Sequence, residues 1–285
     1  MLGDTLDTKI FRRITHDRNL MTEEQIERER EELASNQSYE ATDEDFRKFT
    51  ERSLGYLDYR GKKIVDLASG GGDLVNYLAM NGASEAYGVE IQPDSVMVAE
   101  SVAAREGITN AKFIASDVHK WQTDEKFDYV LTYEALDHIP DVGPTMKKMA
   151  SLLKDDGRII NFAAGFWKAP IGADHCDDFM RFHVPWTQFV FSDQARLTVR
   201  REKFRPSDPA KSWPDIRGGL SMYTYSEYKD AIRDAGLKIV AWDINYQFKY
   251  IQRGWLYRPI SNILTRIPLI REYFTLSVMS VLEKG

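Results

Sequence analysis

The string VDLASGGGD at residues 65–73 constrains the chain more than any other feature. An acidic residue ends an apolar run, three successive glycines let the backbone turn with no side chains in the way, and a helix pattern follows. A ligand therefore gains access to main-chain N–H groups. The same switch of pattern repeats through residues 62–165: KKIVDLAS, EAYGVEI, AKFIASD, FDYVLTYEAL and GRIINFAAG read as strands. Between them, GDLVNYLAM, PDSVMVAESVAAREG and PTMKKMASLLKDDG read as helices, the second with Pro93 in its first turn and Gly107 at its end, the third opened by Asp141 and Pro144 and closed by Gly157. Such alternation with short turns predicts right-handed crossovers and an α/β, Rossmann-like, doubly wound sheet that is mainly parallel. Ligands of these sheets bind beyond the carboxyl ends of the strands.

A dinucleotide fingerprint G-x-G-x-x-G starting at Gly70 requires glycine at position 75, where the chain has Val75. A nicotinamide-dependent oxidoreductase is thereby weakened, and no Tyr-x-x-x-Lys pair stands near the fourth strand. The pattern Asp66, Ala68, Gly70, Gly72 instead resembles the first motif of the class I S-adenosylmethionine (SAM)-dependent methyltransferases, with alanine in place of the first glycine. The resemblance continues in order through GVEIQ, ASD, FDYVLTYEALDHI and GRIINFAAG. It implies donor contacts from Asp66, Ala68, Ser69, Gly70 and Gly72, then Glu90 and Ile91, then Asp117 and Val118, and finally Tyr133. Glu90 is implied at the ribose hydroxyls and Asp117 at the adenine amino group. Independently, a carboxylate suits a diol because charge-assisted bonds to two hydroxyls are strong. Glu90 also lies 18 residues beyond Gly72, near the spacing of about 20 for an acidic ribose ligand. The resemblance further implies seven strands, the last antiparallel and inserted between the fifth and sixth, with SAM as methyl donor and S-adenosylhomocysteine (SAH) as product.

Alternation fails over residues 166–223, before TYSEYKDAIRDAG supplies a helix capped by Thr224 and Glu227 and LKIVAWDINYQF and TLSVMSVLEKG supply two more strands. A structureless loop of that length is improbable, so the segment is expected to form a lid over the carboxyl edge of the sheet. The expected organisation is a helical flap at 1–60, a SAM-binding core at 61–165, the acceptor-site insert at 166–223 and the rest of the core at 224–285. Within the flap, Thr22 and Gln25 start a charged helix at 22–33, and Phe46, Phe49, Leu54 and Leu57 mark an apolar face over 42–57.

Methyl transfer is an in-line displacement, so the protein's main task is alignment of donor and acceptor with water excluded. His138, just past the fourth strand, is the candidate base, since imidazole titrates near neutrality. Trp167, His175, His183, Trp186 and Tyr223 are the candidate acceptor residues of the insert. His175 beside Asp174, Asp177 and Asp178 reads as a wet polar turn rather than a metal cluster, and a metal-free reaction is expected.

With 38 Lys and Arg against 44 Asp and Glu, the formal charge of −6 disfavours a nucleic-acid partner. No Asn/Asp-Pro-Pro-aromatic string stands at the fourth strand, where the chain has TYEA. A small-molecule, sugar or lipid-intermediate acceptor is left, with oxygen favoured because a histidine suits deprotonation of a hydroxyl. Nitrogen methylation of a small amine and a non-catalytic SAM-binding protein are the alternatives. The lone Cys176 excludes multi-cysteine metal sites and internal disulfides, and no apolar run approaches 18 residues, so a cytoplasmic protein is expected. Residues 249–275, rich in Lys and Arg with Trp255 and Tyr257, suit either strand connection or weak contact with an anionic membrane surface. The sequence sets no oligomeric state.

Overall fold

The computed structural model describes residues 5–16, 55–182, 184–206, 208–216, 219–245 and 254–285. The expected helix at 22–33 and His183 lie outside the described residues, as does the helix expected over 42–57 apart from residues 55–57, which are not helical. The side chains of Asp177, Asp178, Trp255 and Tyr257 lie outside them too.

In chain order the elements are α1 (Leu6–Ile14), β1 (Lys63–Leu67), α2 (Asp73–Met80), β2 (Glu85–Glu90), α3 (Pro93–Arg105), β3 (Ala111–Ala115), β4 (Phe127–Tyr133), α4 (Val142–Leu152) and β5 (Leu153–Gly165). There follow α5 (Thr187–Val190), α6 (Asp193–Lys203), α7 (Tyr225–Asp234), β6 (Leu237–Ile244), α8 (Gly254–Leu264), α9 (Arg271–Phe274) and β7 (Ser277–Lys284). Single 3-10 turns occupy Leu136–His138 and Cys176–Phe179.

Seven strands form one sheet in the order β3-β2-β1-β4-β5-β7-β6. The first five are parallel, and β7 runs antiparallel between β5 and β6. Alternate residues of β1 feed opposite cores: Val65 and Leu67 join one apolar cluster and Ile64 the other. Both faces are therefore covered, which is why the parallel strands read as continuous apolar runs. Between these cores sits a polar pin. Asn161 of β5 accepts from Thr132 of β4 (2.8 Å) and donates to Tyr228 of α7 (2.6 Å) and Ser280 of β7 (3.3 Å). All four side chains are buried, and their mutual bonds fix the register of three strands and a helix.

One boundary departs from expectation. Gly157 does not close α4, which ends at Leu152; it lies within β5, where an added Cβ would stand 2.9 Å from the Phe127 carbonyl oxygen. The strand register slips between Phe127 and Tyr129 at that place.

Helix α6 of the insert packs with α1. Phe11 of α1 is fully buried in a cluster with Phe179, Phe191 and Trp213, Thr15 bridges to Met180, and Arg12 pairs with Glu202 of α6 (2.7 Å). The expected wet turn at Asp174 is overturned. Asp174 is fully buried and ion-paired with Arg196 of α6, whose guanidinium lies over the rings of Trp213 (4.8 Å) and Trp167 (5.6 Å). It also accepts from the Cys176 N–H (3.1 Å) and the Thr187 hydroxyl. A buried carboxylate of this kind persists because its charge is paired and its lone pairs are filled. Of the segment 249–275, α8 and α9 are tied to the sheet by Asn245, which donates to Ser261 and the Phe274 carbonyl and accepts from Leu276 N–H. Their outer surface exposes Ile260, Ile263, Ile267 and Leu269.

Gly72, the first residue of α2's entry, has φ +78°, and a Cβ there would come within 2.5 Å of Ala99 and 2.6 Å of Phe113. Gly72→Ala combines left-handed strain with overpacking, and urea unfolding should show a loss of about 2–5 kcal/mol. An unchanged midpoint would contradict this packing.

Candidate active site

The glycine loop leaves β1 by crossing onto its neighbour: the N–H groups of Ala68 and Ser69 both donate to the Val89 carbonyl (2.8 and 3.2 Å). Ala68 and Gly70 are left-handed at φ +59° and +53°. At Ala68 this is a strained state for a residue with a Cβ, so the alanine is accommodated rather than favoured. An added Cβ at Gly70 or Gly71 would meet nothing within 4 Å. The three glycines thus divide their work: Gly72 permits close helix packing, while Gly70 and Gly71 leave open space above the strand ends. Ser69 sits over Gly88, where an added Cβ would lie 2.6 Å from its hydroxyl, so that side chain packs on β2.

Glu90 closes β2 and is 7% exposed. One carboxylate oxygen accepts from Gly70 N–H (2.9 Å) and the other from Gln92 N–H (3.0 Å), so this residue clamps the glycine loop to the start of α3. Each oxygen keeps a further lone pair for a hydroxyl. Asp66, 3% exposed, has one carboxylate oxygen with no hydrogen-bond partner. Burial, and then the charge of Glu90, push its pKa well above the ordinary carboxylate range. Ile91, exposed, forms an apolar lip beyond Glu90. Asp117 accepts from His119 N–H (2.8 Å) and lies 3.6 Å from Lys120, shaping the turn after β3, while Val118 is buried in the core below. Tyr133 ends β4 with its ring 5.5 Å from that of Phe162.

Beyond the ends of β4 and β5 lies a cavity of about 270 Å³. Glu134, Asp137, Phe166, Trp167 and His175 are among its lining residues. Glu134 (φ +50°) and His175 (φ +54°) are left-handed, a concentration of backbone strain where function is usual. His175 stands 3.4 Å from the Asp137 carboxylate, and its ring centroid is 5.0 Å from that of His138. His138 Nδ1 lies 2.9 Å from the Gly219 carbonyl. A carbonyl only accepts, so Nδ1 carries the proton and Nε2 is the free nitrogen. Burial raises the Asp137 pKa, but the hydrogen bond from His175 and the charges of His138 and His175 outweigh it and hold the pKa below its ordinary value. Tyr223 packs against Phe166 at 5.7 Å, and its buried hydroxyl has no hydrogen-bond partner. Trp186 is placed elsewhere: its indole donates to the Tyr273 carbonyl (3.0 Å) and meets Phe274 edge-on, apart from the cavity lining.

The sequence singles out His138 and His175 but not their common partner Asp137. The signal for it was only adjacency in LDHI, because the contact to His175 spans 38 residues and depends on the fold of the insert.

Residues 58–175 match the family described as a methyltransferase domain. A ubiquinone biosynthesis O-methyltransferase of Neisseria meningitidis is 30% identical over 107 residues, which cover 37% of this chain and 45% of that protein. The chain thus spans less than half of that relative's length. Among solved structures, a SAM-dependent methyltransferase from Mesorhizobium loti aligns with TM-score 0.54 at 14% identity, covering 87% of this chain and 100% of that one. A geranyl diphosphate C-methyltransferase from Streptomyces coelicolor aligns with TM-score 0.54 at 14% identity, covering 84% and 77%. These two likenesses show the fold alone.

The native Asp66 binds a proton more tightly than the unfolded chain does. Its contribution is therefore least unfavourable at low pH, and stability declines as pH rises from about 4 toward the raised native value. Asp66→Asn removes the buried charge and should stabilise the ligand-free protein by roughly 1–3 kcal/mol at pH 7, the gain vanishing below about pH 4. Thermal melts of both proteins across this range check the sign; a destabilised variant at pH 7 would show that Asp66 is satisfied.

Proposed function

We propose that the protein transfers a methyl group from SAM to an oxygen of a small-molecule, sugar or lipid-intermediate acceptor. The observation that carries this reading is the donor end of the sheet, where Glu90 clamps an open glycine loop beside an unpartnered buried Asp66. The residues present fit the donor. Gly70 and Gly71 leave room that side chains would fill, Glu90 has lone pairs for two ribose hydroxyls, and Ile91 offers an apolar face for a purine. Asp66 in turn suits a cationic amino group, which would offset its buried charge. Asp117, Val118 and Tyr133 complete the reading at the ends of β3 and β4.

When bound, SAM supplies a methyl group already activated by a sulfonium. The chain's own residues orient the acceptor and exclude water from the cavity, with Phe166 and Trp167 as apolar walls. Removal of the acceptor's hydroxyl proton belongs to the group formed by Asp137, His138 and His175, which stands at the cavity beside the end of β4. This position favours oxygen over a neutral amine, which needs little help in losing a proton.

Labelled-methyl transfer to a panel of hydroxylated and amino acceptors tests the reading. Glu90→Ala should raise the KM for SAM by roughly 10–10²-fold through loss of charge-assisted bonds, with kcat at saturation largely kept. Transfer to amines alone would move the reaction to nitrogen, and absence of transfer to every acceptor would overturn the reading.

A further inference from the structure

We propose that Asp137, His138 and His175 bind one divalent transition-metal cation at the acceptor cavity. This deepens the functional reading above and rests on it for the cation's role. One ligand atom from each residue lies within 4.8 Å of the others. The 3.4 Å separation between His175 Nε2 and the Asp137 carboxylate matches the ligand–ligand edge of a tetrahedral site with bonds of about 2.1 Å. The two remaining edges, both to His138, are no longer than 4.8 Å.

Supporting contacts favour a built site. The Gly219 carbonyl fixes the His138 tautomer with Nε2 free, the outer-shell bond that a ligating imidazole ordinarily has. His175 is held in a left-handed backbone state by its neighbour Asp174, which Arg196 and the Cys176 and Thr187 donors lock in place. Strain of this kind is kept only where the surroundings over-determine it. Tyr223 adds a buried hydroxyl without a hydrogen-bond partner, close enough to Asp137 to be influenced by its charge.

Two imidazoles and one carboxylate suit Zn²⁺, Mn²⁺, Fe²⁺ or Co²⁺ better than Mg²⁺ or Ca²⁺, which prefer oxygen-only shells. Three protein ligands leave coordination positions open toward the cavity. An acceptor hydroxyl entering one of them loses its proton to solvent more readily beside the cation, then takes the methyl group as the sulfonium carbon–sulfur bond breaks and SAH is released. His138 and His175 then act as ligands rather than as a free base. The proposal departs from the metal-free reaction expected from sequence, because the two histidines are 37 residues apart in the chain yet adjacent in space.

Chelator-treated protein titrated with Zn²⁺ by calorimetry, and with Co²⁺ by visible absorption, tests the site with and without SAH. Expected are one cation per chain, the d–d bands of low-coordinate Co²⁺, and affinity reduced on the order of 10²-fold in Asp137→Asn and in His175→Asn. Asparagine tolerates the left-handed backbone at 175, and melts in chelator check that each variant folds. Absence of stoichiometric binding, or binding that neither substitution weakens, would overturn the cation site. Continued SAH binding in that case would leave the methyltransferase reading standing, whereas loss of SAH binding in the unsubstituted protein would fail that reading by itself.

Discussion

Two carboxylates at neighbouring strand ends, Asp66 and Glu90, set the terms for the rest of the molecule. Glu90 uses both oxygens to hold the Gly70 and Gln92 N–H groups, and the loop, the start of α3 and the entry to α2 follow from that clamp. Asp66, one strand away, remains buried with an oxygen unfilled. Buried like charges are costly without a counterpart, so the proposed cationic, diol-bearing donor would offset a cost that the ligand-free fold carries. The sheet meets this demand by rigidity: the Asn161 pin and two apolar faces fix the strand ends where the carboxylates emerge.

The acceptor side is built differently. Its histidine and aspartate side chains come from a 3-10 turn and a loop, and loops hold geometry only when something rigid supports them. That support is the Asp174–Arg196 pair with the tryptophans around it, and α1 completes the same apolar cluster through Phe11. Residues of α1 thus contribute to the stability of a wall of the cavity.

The sheet and the glycine turn were legible because their signals are local and ordered. Each strand run, the glycine string, the proline at Pro93 and the capping box at Thr224 act within a few residues, and the seven-stranded order implied by resemblance matches the strand order found. Even there, function within the motif was coarser than its pattern, since Gly72 serves packing while Gly70 and Gly71 stand open. Asp174 was illegible because burial and pairing with Arg196 depend on the insert's tertiary fold, and a local cluster of carboxylates looks the same wet or dry. Trp186 fails as a cavity residue for the same reason: its aromatic surface is spent on Phe274. The β5 start was hidden by Gly157, whose meaning as a helix stop or a close strand contact rests on the Phe127 carbonyl across the sheet.

If the Asp66–Glu90 end of the sheet is shaped for the adenosyl donor, as proposed, rather than for a dinucleotide, the two ligands will tell the cases apart. Calorimetric titration of the unsubstituted protein with SAH and, separately, with NADH tests the proposal most directly. The account predicts one SAH per chain with Kd on the order of micromolar and no measurable NADH binding. NADH binding without SAH binding would contradict it and return the fold to the oxidoreductases.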